Sequence, residues 1–440
     1  MTTHDMSNSD TKSVWQQYRS VSIVYRIGVA FVLGSILGLV VGQPATALKP
    51  IGDLFVRLLK MLIVPIVVFT LLMGVRQLSP SSLGRVGLQA VGLYAVTSAL
   101  AVAIGLGVSN FISPGSRGLE QLLAQAEARS TEAPNAVEVV LNIVPTNPLG
   151  AMAEGNVLPT IFFVVVFGLG LSLVWEETDD EAVRSGIETF FDLADAGAEA
   201  MYKVVWGVME FGVIGVFALM ANVFGKAGVD AILPFALLIG TMLVAAVVHI
   251  GVVYLGGLVV GFAGRSPFAF LSGSRDAMVT ALSIRSSSGT LPVTMSDADE
   301  NLGIEERIYG FSLPLGATIN MDGTAMYQGV AAIFAANIMG VSLSLADQFA
   351  VVAVAVLASI GTAGVPGSGL IMLTLVLTQL GFPLEIVGLV AGVDPILDRI
   401  RTMVNVTGDL AVTTVVAKWN SAVDFTAEAW NDGVVPSIAD

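Results

Sequence analysis

The sequence predicts an all-α membrane protein with eight transmembrane helices and two re-entrant helical hairpins, on three observations. Apolar stretches of about 20 residues or more recur along the chain, long enough to cross a hydrocarbon core near 30 Å as helices and unlike the alternating ten-residue segments of a barrel. In the last third several such stretches are interrupted at mid-length by Gly, Pro, Ser and Asn, a pattern of helical backbone broken at membrane depth. One late segment, DPILDRIRTMVNVTGDLAVTTVVAK over residues 394–418, sets three aspartates and two arginines among apolar neighbours.

Composition excludes most other classes. Of 440 residues, 55% are hydrophobic and 12% charged, with a mean hydropathy of +0.82, too apolar for a soluble domain. The absence of cysteine excludes disulfides, thiolate metal sites and thiol catalysis. Of the two histidines, His4 lies in a polar tail and His249 in an apolar stretch, where it reads as a packed core histidine. No nucleophile with a nearby base stands among the membrane polar groups, so an enzyme is not expected. The net charge of −15 gathers in tails and in loops such as 176–181 and 297–300. It reads as a solvated surface suited to a salty cytoplasm, with nothing to offer a nucleic acid.

Residues 1–22 form a polar N-terminal tail, and Ile27–Gly42 is the first apolar run. Ala45-Thr46-Ala47 mimics a signal-peptidase site, yet the long polar leader and the spans behind it favour a retained helix with a cytoplasmic N-terminus. The second span, Ile51–Val75, holds Pro65 as a kink. The third, Val86–Ile112, carries Tyr94, Thr97 and Ser98 on one edge, by themselves readable as packing hydroxyls. After a polar loop, NIVPTNPLG interrupts any helix with two prolines. The runs Leu158–Trp175, Ile187–Phe224 and Ile232–Ala263 complete six spans within 23–263.

Residues 266–296 hold RSSSGTLPVT at their centre. Two halves of about 12 residues reach only about 18 Å each, so this stretch enters and leaves the bilayer on one side. The span over 305–339 is broken at Asn320-Met321-Asp322-Gly323-Thr324. The order then repeats: 345–380 is broken by GTAGVPGSG at 361–369, and the charged helix of 385–418 follows, leaving 419–440 as an acidic C-terminal tail. Two hairpins each preceding one functional helix suggest an internal repeat whose broken elements meet at mid-membrane.

In the charged helix Asp394, Asp398, Arg401, Asn405 and Asp409 are spaced 4, 3, 4 and 4 apart and share one face. Each ion at mid-bilayer costs roughly 2.5 to 3.5 kcal/mol, so this face belongs to a bundle interior or a watery cavity. A structural ion-pair network is one reading. The other is a site, because an arginine fork fits a carboxylate, an aspartate holds an ammonium, and carboxylate with amide oxygens suits Na+.

Together RSSSGTLPVT, NMDGT, GVPGSG and the DxxxDxxRTxxNVxGD pattern, with LYAVTSA and PTNPLG upstream, resemble the dicarboxylate/amino acid:cation symporter family, which includes archaeal sodium-coupled aspartate transporters and excitatory amino acid transporters. The resemblance runs from about residue 20 to 418. It implies a glutamate-transporter-like fold with inverted repeats, a homotrimer in the lipid bilayer of an archaeal or bacterial cell with cytoplasmic termini, and residues 264–418 as the transport core, joined by the third span. It also implies sodium-coupled symport of an acidic amino acid by an elevator-type movement, aspartate first and glutamate next. A proton-coupled C4-dicarboxylate or glutamate symporter and an anion channel are the alternatives.

By the same resemblance Ser286, Ser287, Ser288 and Thr324 meet the substrate carboxylates, Arg285 belongs to the substrate site ahead of these serines, and Val365 to Gly369 form the extracellular gate. Arg401 takes the side-chain carboxylate, Asp398 the α-amino group, and Thr402 and Asn405 add polar contacts. Three co-transported Na+ ions are implied. One is held by Gly316, Asn320, Asn405 and Asp409, a second by backbone oxygens of Thr318, Ser359, Ile360 and Thr362, and a third by Tyr94, Thr97, Ser98, Asn320 and Asp322. Arg285 occurs as in archaeal relatives and Arg399 as in animal ones. Both are expected beside Asp398 and partly redundant, so that losing both costs more than the sum.

Overall fold

Apolar runs without breakers fold as long helices, and runs with polar or glycine-proline interruptions fold as shorter helices set end to end. The computed structural model describes residues 18, 21, 23–76, 80–115, 141, 144–360 and 368–431. Their regular structure is helical apart from an isolated antiparallel bridge between Ile304 and Val423. In chain order the first helices are α1 (Ile23–Val41), α2 (Lys49–Arg76), α3 (Pro80–Ile112), α4 (Pro148–Glu154), α5 (Val157–Glu177) and α6 (Glu181–Ala227). Then comes α7 (Ile232–His249), which continues without a break as a π-helix over Ile250–Phe262.

Four stretches among the described residues are long and apolar enough to cross a membrane: Gln43–Arg76, Gly84–Ile112, Pro159–Glu177 and Glu181–Phe262. Pro65, expected as a kink, lies inside a helix assigned unbroken from Lys49 to Arg76. The non-helical residue of α3 is Gly84, with φ 37°. The acidic linker before α6 has a local use, since Asp180 caps the helix by accepting from the backbone N–H groups of Ala182 and Val183.

The first hairpin consists of α8 (Pro267–Gly273), α9 (Arg275–Ile284) and α10 (Ser287–Ser296), with α9 packed on α10. Arg285 turns the chain between them in a left-handed conformation, φ 59° and ψ 38°. The next span is broken as expected, into α11 (Glu306–Ile319) and α12 (Asp322–Ile338). The second broken stretch gives α13 (Leu345–Ile360) and α14 (Ser368–Gln379). The expected single helix over 385–418 is two, α15 (Glu385–Ala391) and α16 (Asp394–Trp419). Pro395 falls in the first turn of α16, where its missing N–H costs nothing, and so favours a helix start at this point.

Two packing groups result. Helix α6 gathers α1 and α2, while α16 is surrounded by α3, α7, the π-helix and α9 to α12. Every residue from Asp322 to Ala336 of α12 is buried, so this helix has no lipid face. Lipid removes the usual hydrophobic drive between helices, and small residues that let backbones meet take over. Helices α3 and α12 do so reciprocally. A Cβ on Gly105 would strike the Met326 carbonyl, and one on Gly329 would lie 2.9 Å from the Val102 carbonyl oxygen. That crossing brings the hydroxyl edge of α3 against the break between α11 and α12.

Past α16 the chain folds back on the base of the first hairpin. The Asp424 N–H donates to the Gly303 carbonyl at 2.7 Å, and buried Trp430 donates from Nε1 to the Leu302 carbonyl at 2.9 Å.

Candidate functional site

The first turns of α16 hold a charge cluster. Arg401 Nη1 donates to Asp394 Oδ1 and Nη2 to Asp398 Oδ1, both at 2.7 Å, spacings of seven and three residues that put both acids toward the helix N-terminus. Arg401 is 1% exposed, and its guanidinium lies 4.4 Å from the centre of the Tyr327 ring. Helix α14 begins directly over it: a Cβ on Gly369 would come within 2.5 Å of Cζ. Arg285, set by its left-handed turn, reaches across to donate to Asp398 Oδ2 at 3.3 Å. Two guanidinium groups thus face two carboxylates. Removing one member leaves a buried unpaired charge, typically a loss of about 3 to 5 kcal/mol.

Arg399 does not join this cluster, contrary to expectation. Its offset of about 100° from the polar stripe turns it toward α9, where Nη1 donates to the carbonyls of Leu282 and Ser283. These are last-turn carbonyls without helical partners, a common seat for arginine.

The other expected substrate contacts fall around the cluster. Ser286 caps α10 through Oγ, which accepts from the Gly289 N–H; Ser287 is buried and Ser288 exposed. Thr402 donates to the Asp398 carbonyl at 2.8 Å. Asn405 accepts from the Gly323 N–H at 2.7 Å and so ties α16 to the start of α12, where Thr324 is buried. Val365 lies outside the described residues.

Farther along α16, oxygen atoms collect from five segments. Asn320 closes α11, and its Nδ2 donates to Asp409 Oδ1 at 2.8 Å while its buried Oδ1 has no hydrogen-bond partner. A Cβ on Gly316 would lie 2.5 Å from Asp409 Oδ1 and 2.8 Å from the Tyr94 hydroxyl, so backbone, carboxylate and phenol converge there. The Tyr94 hydroxyl donates to the Ser312 carbonyl at 3.0 Å, and the Thr97 hydroxyl to the Tyr94 carbonyl at 3.1 Å. Ser98 donates to Asp322 Oδ1 at 2.5 Å and Tyr254 to Oδ2 at 2.6 Å. Among the described residues no lysine or arginine pairs with Asp322 or Asp409. Buried carboxylates without a lysine or arginine partner, beside an unspent amide oxygen, suit a hard cation.

The set of Thr318, Ser359, Ile360 and Thr362 is divided. Thr318 lies in the last turns of α11, where its hydroxyl donates to the Leu315 carbonyl at 2.8 Å. Ser359 and Ile360 end α13, which touches α11, and Thr362 lies outside the described residues.

Four residues near these groups had no assigned role in the sequence. Asp394 stood on the polar stripe, and its place seven residues before Arg401 was the available signal. Tyr327 gave no sign of its ring contact. His249 is buried, as a core histidine should be, but its Nε2 lies 3.5 Å from Asp322 Oδ2 and its ring packs edge-on against Tyr254 at 4.6 Å. Tyr254 could not be read from an α-helical register.

The chain is similar to known transport proteins over nearly its whole length. The profile of the sodium:dicarboxylate symporter family matches residues 23–419. The proton/sodium-glutamate symport protein of Geobacillus stearothermophilus is 34% identical over 412 residues, 91% of this chain and 95% of that protein. The proton/glutamate-aspartate symporter of Escherichia coli K12 is 33% identical over 425 residues, 92% and 94% of the two chains. A C4-dicarboxylate transport protein of Laribacter hongkongensis is 32% identical over 413 residues, 92% and 90%.

Proposed function

The chain belongs to the sodium:dicarboxylate symporter family, and from that premise we propose that it is a sodium-coupled carrier of acidic amino acids, with L-aspartate as its first substrate and glutamate its second. The observation that carries the reading is the guanidinium of Arg401, buried with one donor, Nε, unspent and with Asp398 beside it. A substrate with two carboxylates and one ammonium matches this set: its side-chain carboxylate displaces an aspartate from the Arg401 fork, and its ammonium goes to the freed acid.

Charge balance supports the coupling ions. In the two clusters of the site, Arg285 and Arg401 stand against Asp322, Asp394, Asp398 and Asp409, a net charge of minus two with all acids ionised. Aspartate adds one negative charge. Three monovalent cations restore neutrality, which a low-dielectric interior demands. Multiple hydroxyl, amide and carboxylate oxygens at Asp322 and Asp409 favour sodium over protons as those cations. We place the movement in an elevator-type displacement of the α16 packing group against the α6 group, within a homotrimer.

Labelled aspartate uptake into proteoliposomes tests the reading. An inward sodium gradient at equal pH should drive accumulation, and a proton gradient without sodium should not. Accumulation driven by protons alone would replace this reading with the proton-coupled one.

A further inference from the structure

We infer that Tyr254 is a positioning residue of the Asp322 cation site, delivered by the π-helical register of Ile250–Phe262. The inference rests on the sodium-coupled reading above and adds a residue to it.

In an α-helix, residues five apart point about 140° away from each other, so His249 and Tyr254 could not serve one group. The i→i+5 register widens the turn and returns residues five apart toward a common face. At the end of this segment the Ala263 N–H donates to the Leu258 carbonyl at 2.7 Å, the five-residue step itself. The outcome is visible at Asp322, where the Tyr254 hydroxyl donates to Oδ2 at 2.6 Å and His249 Nε2 stands 3.5 Å from the same oxygen. A helix normally tolerates this register only in short pieces, and such pieces concentrate at functional sites.

The hydrogen bonds divide the carboxylate. Ser98 from α3 donates to Oδ1, Tyr254 donates to Oδ2, and the two donors together fix the plane of the group. Each oxygen keeps a lone pair for an ion. The phenol has little freedom to do otherwise. Tyr254 is fully buried, the His249 ring packs against it, and its hydroxyl abuts α16 at Gly408, where a Cβ would collide with it. Gly408 immediately precedes Asp409, so one phenol touches the approaches to both cation-site carboxylates.

The test measures aspartate binding to the purified full-length chain as sodium is varied, for the parent, Tyr254→Phe and Asp322→Asn. Tyr254→Phe keeps the ring and removes the donor. Its sodium midpoint should rise about tenfold, the scale typical of a lost ligand-orienting bond, and aspartate affinity should recover as sodium saturates. The melting temperature without sodium should stay near the parent's, which separates positioning from a structural role. A parent-like midpoint in Tyr254→Phe beside a shifted one in Asp322→Asn overturns the role of Tyr254 and leaves the cation site standing. A lowered melting temperature with an unchanged midpoint overturns it too. A parent-like sodium dependence in Asp322→Asn overturns the cation site and Tyr254 with it. Should the phenylalanine variant not fold, Gly408→Ala presses a methyl onto the same hydroxyl. It must raise the midpoint as well, and a parent-like value there counts against the inference.

Discussion

Arg401 spends two donors on its own helix, on Asp394 and Asp398. On the proposed function an incoming carboxylate competes with both, and selectivity for acidic substrates resides in a difference between two charge-assisted pairs. Arg401→Thr removes the fork, and aspartate binding should weaken by about 2 to 3 kcal/mol while serine or alanine is spared. Isothermal titration with the three amino acids checks this, and equal losses for all three would assign Arg401 to folding alone. Asp409 faces Asn320 and the Tyr94 hydroxyl, with no lysine or arginine paired to it among the described residues. Asp409→Asn keeps the shape and removes the charge, so sodium should bind more weakly and aspartate affinity should fall with it through linkage. A sodium dependence unaltered from the parent would remove Asp409 from the ion sites.

At the scale of elements, the two arginines expected beside Asp398 have different partners. Arg285 sits on the hairpin turn and pairs with Asp398, whereas Arg399 caps the C-terminal carbonyls of α9. Neither should therefore substitute for the other at Asp398: although Arg399 steadies the turn that presents Arg285, the Arg285→Ser, Arg399→Met double mutant should lose no more than the sum of the single losses in uptake rate, to within about 0.5 kcal/mol. A larger coupling would mean that both reach the carboxylate during transport. The same elements define what the sequence could reveal. The 4, 3, 4, 4 spacing exposed the polar stripe of α16, and Asn320 to Thr324 exposed the break after α11, because those signals are local. The crossing of α3 and α12 at Gly105 and Gly329 was not legible, since either glycine alone is only a small residue in an apolar run. Tyr254 was hidden for a sharper reason: a periodicity argument assumes 100° per residue, and the π-helix changes that angle. Arg399 shows the reverse error, a correct residue type whose partner was set by a neighbouring helix end.

Over the whole molecule, charge and movement are joined. On the proposed function, the two charged clusters of the site, together negative by two, become neutral when one acidic amino acid and three monovalent cations are bound, and a neutral site crosses the bilayer at least cost. Sodium and aspartate should accordingly stabilise the fold together. With both at a hundred times their dissociation constants, linkage of the order of 2.7 kcal/mol per independent ligand raises the melting temperature, and aspartate without sodium should add little. Scanning calorimetry under the four combinations resolves this. The most direct measurement is the aspartate dissociation constant as a function of sodium concentration at fixed pH and ionic strength. Its logarithm should fall with the logarithm of sodium along a slope approaching three at low sodium, with no comparable dependence on pH. An aspartate affinity indifferent to sodium and steeply dependent on pH would contradict it.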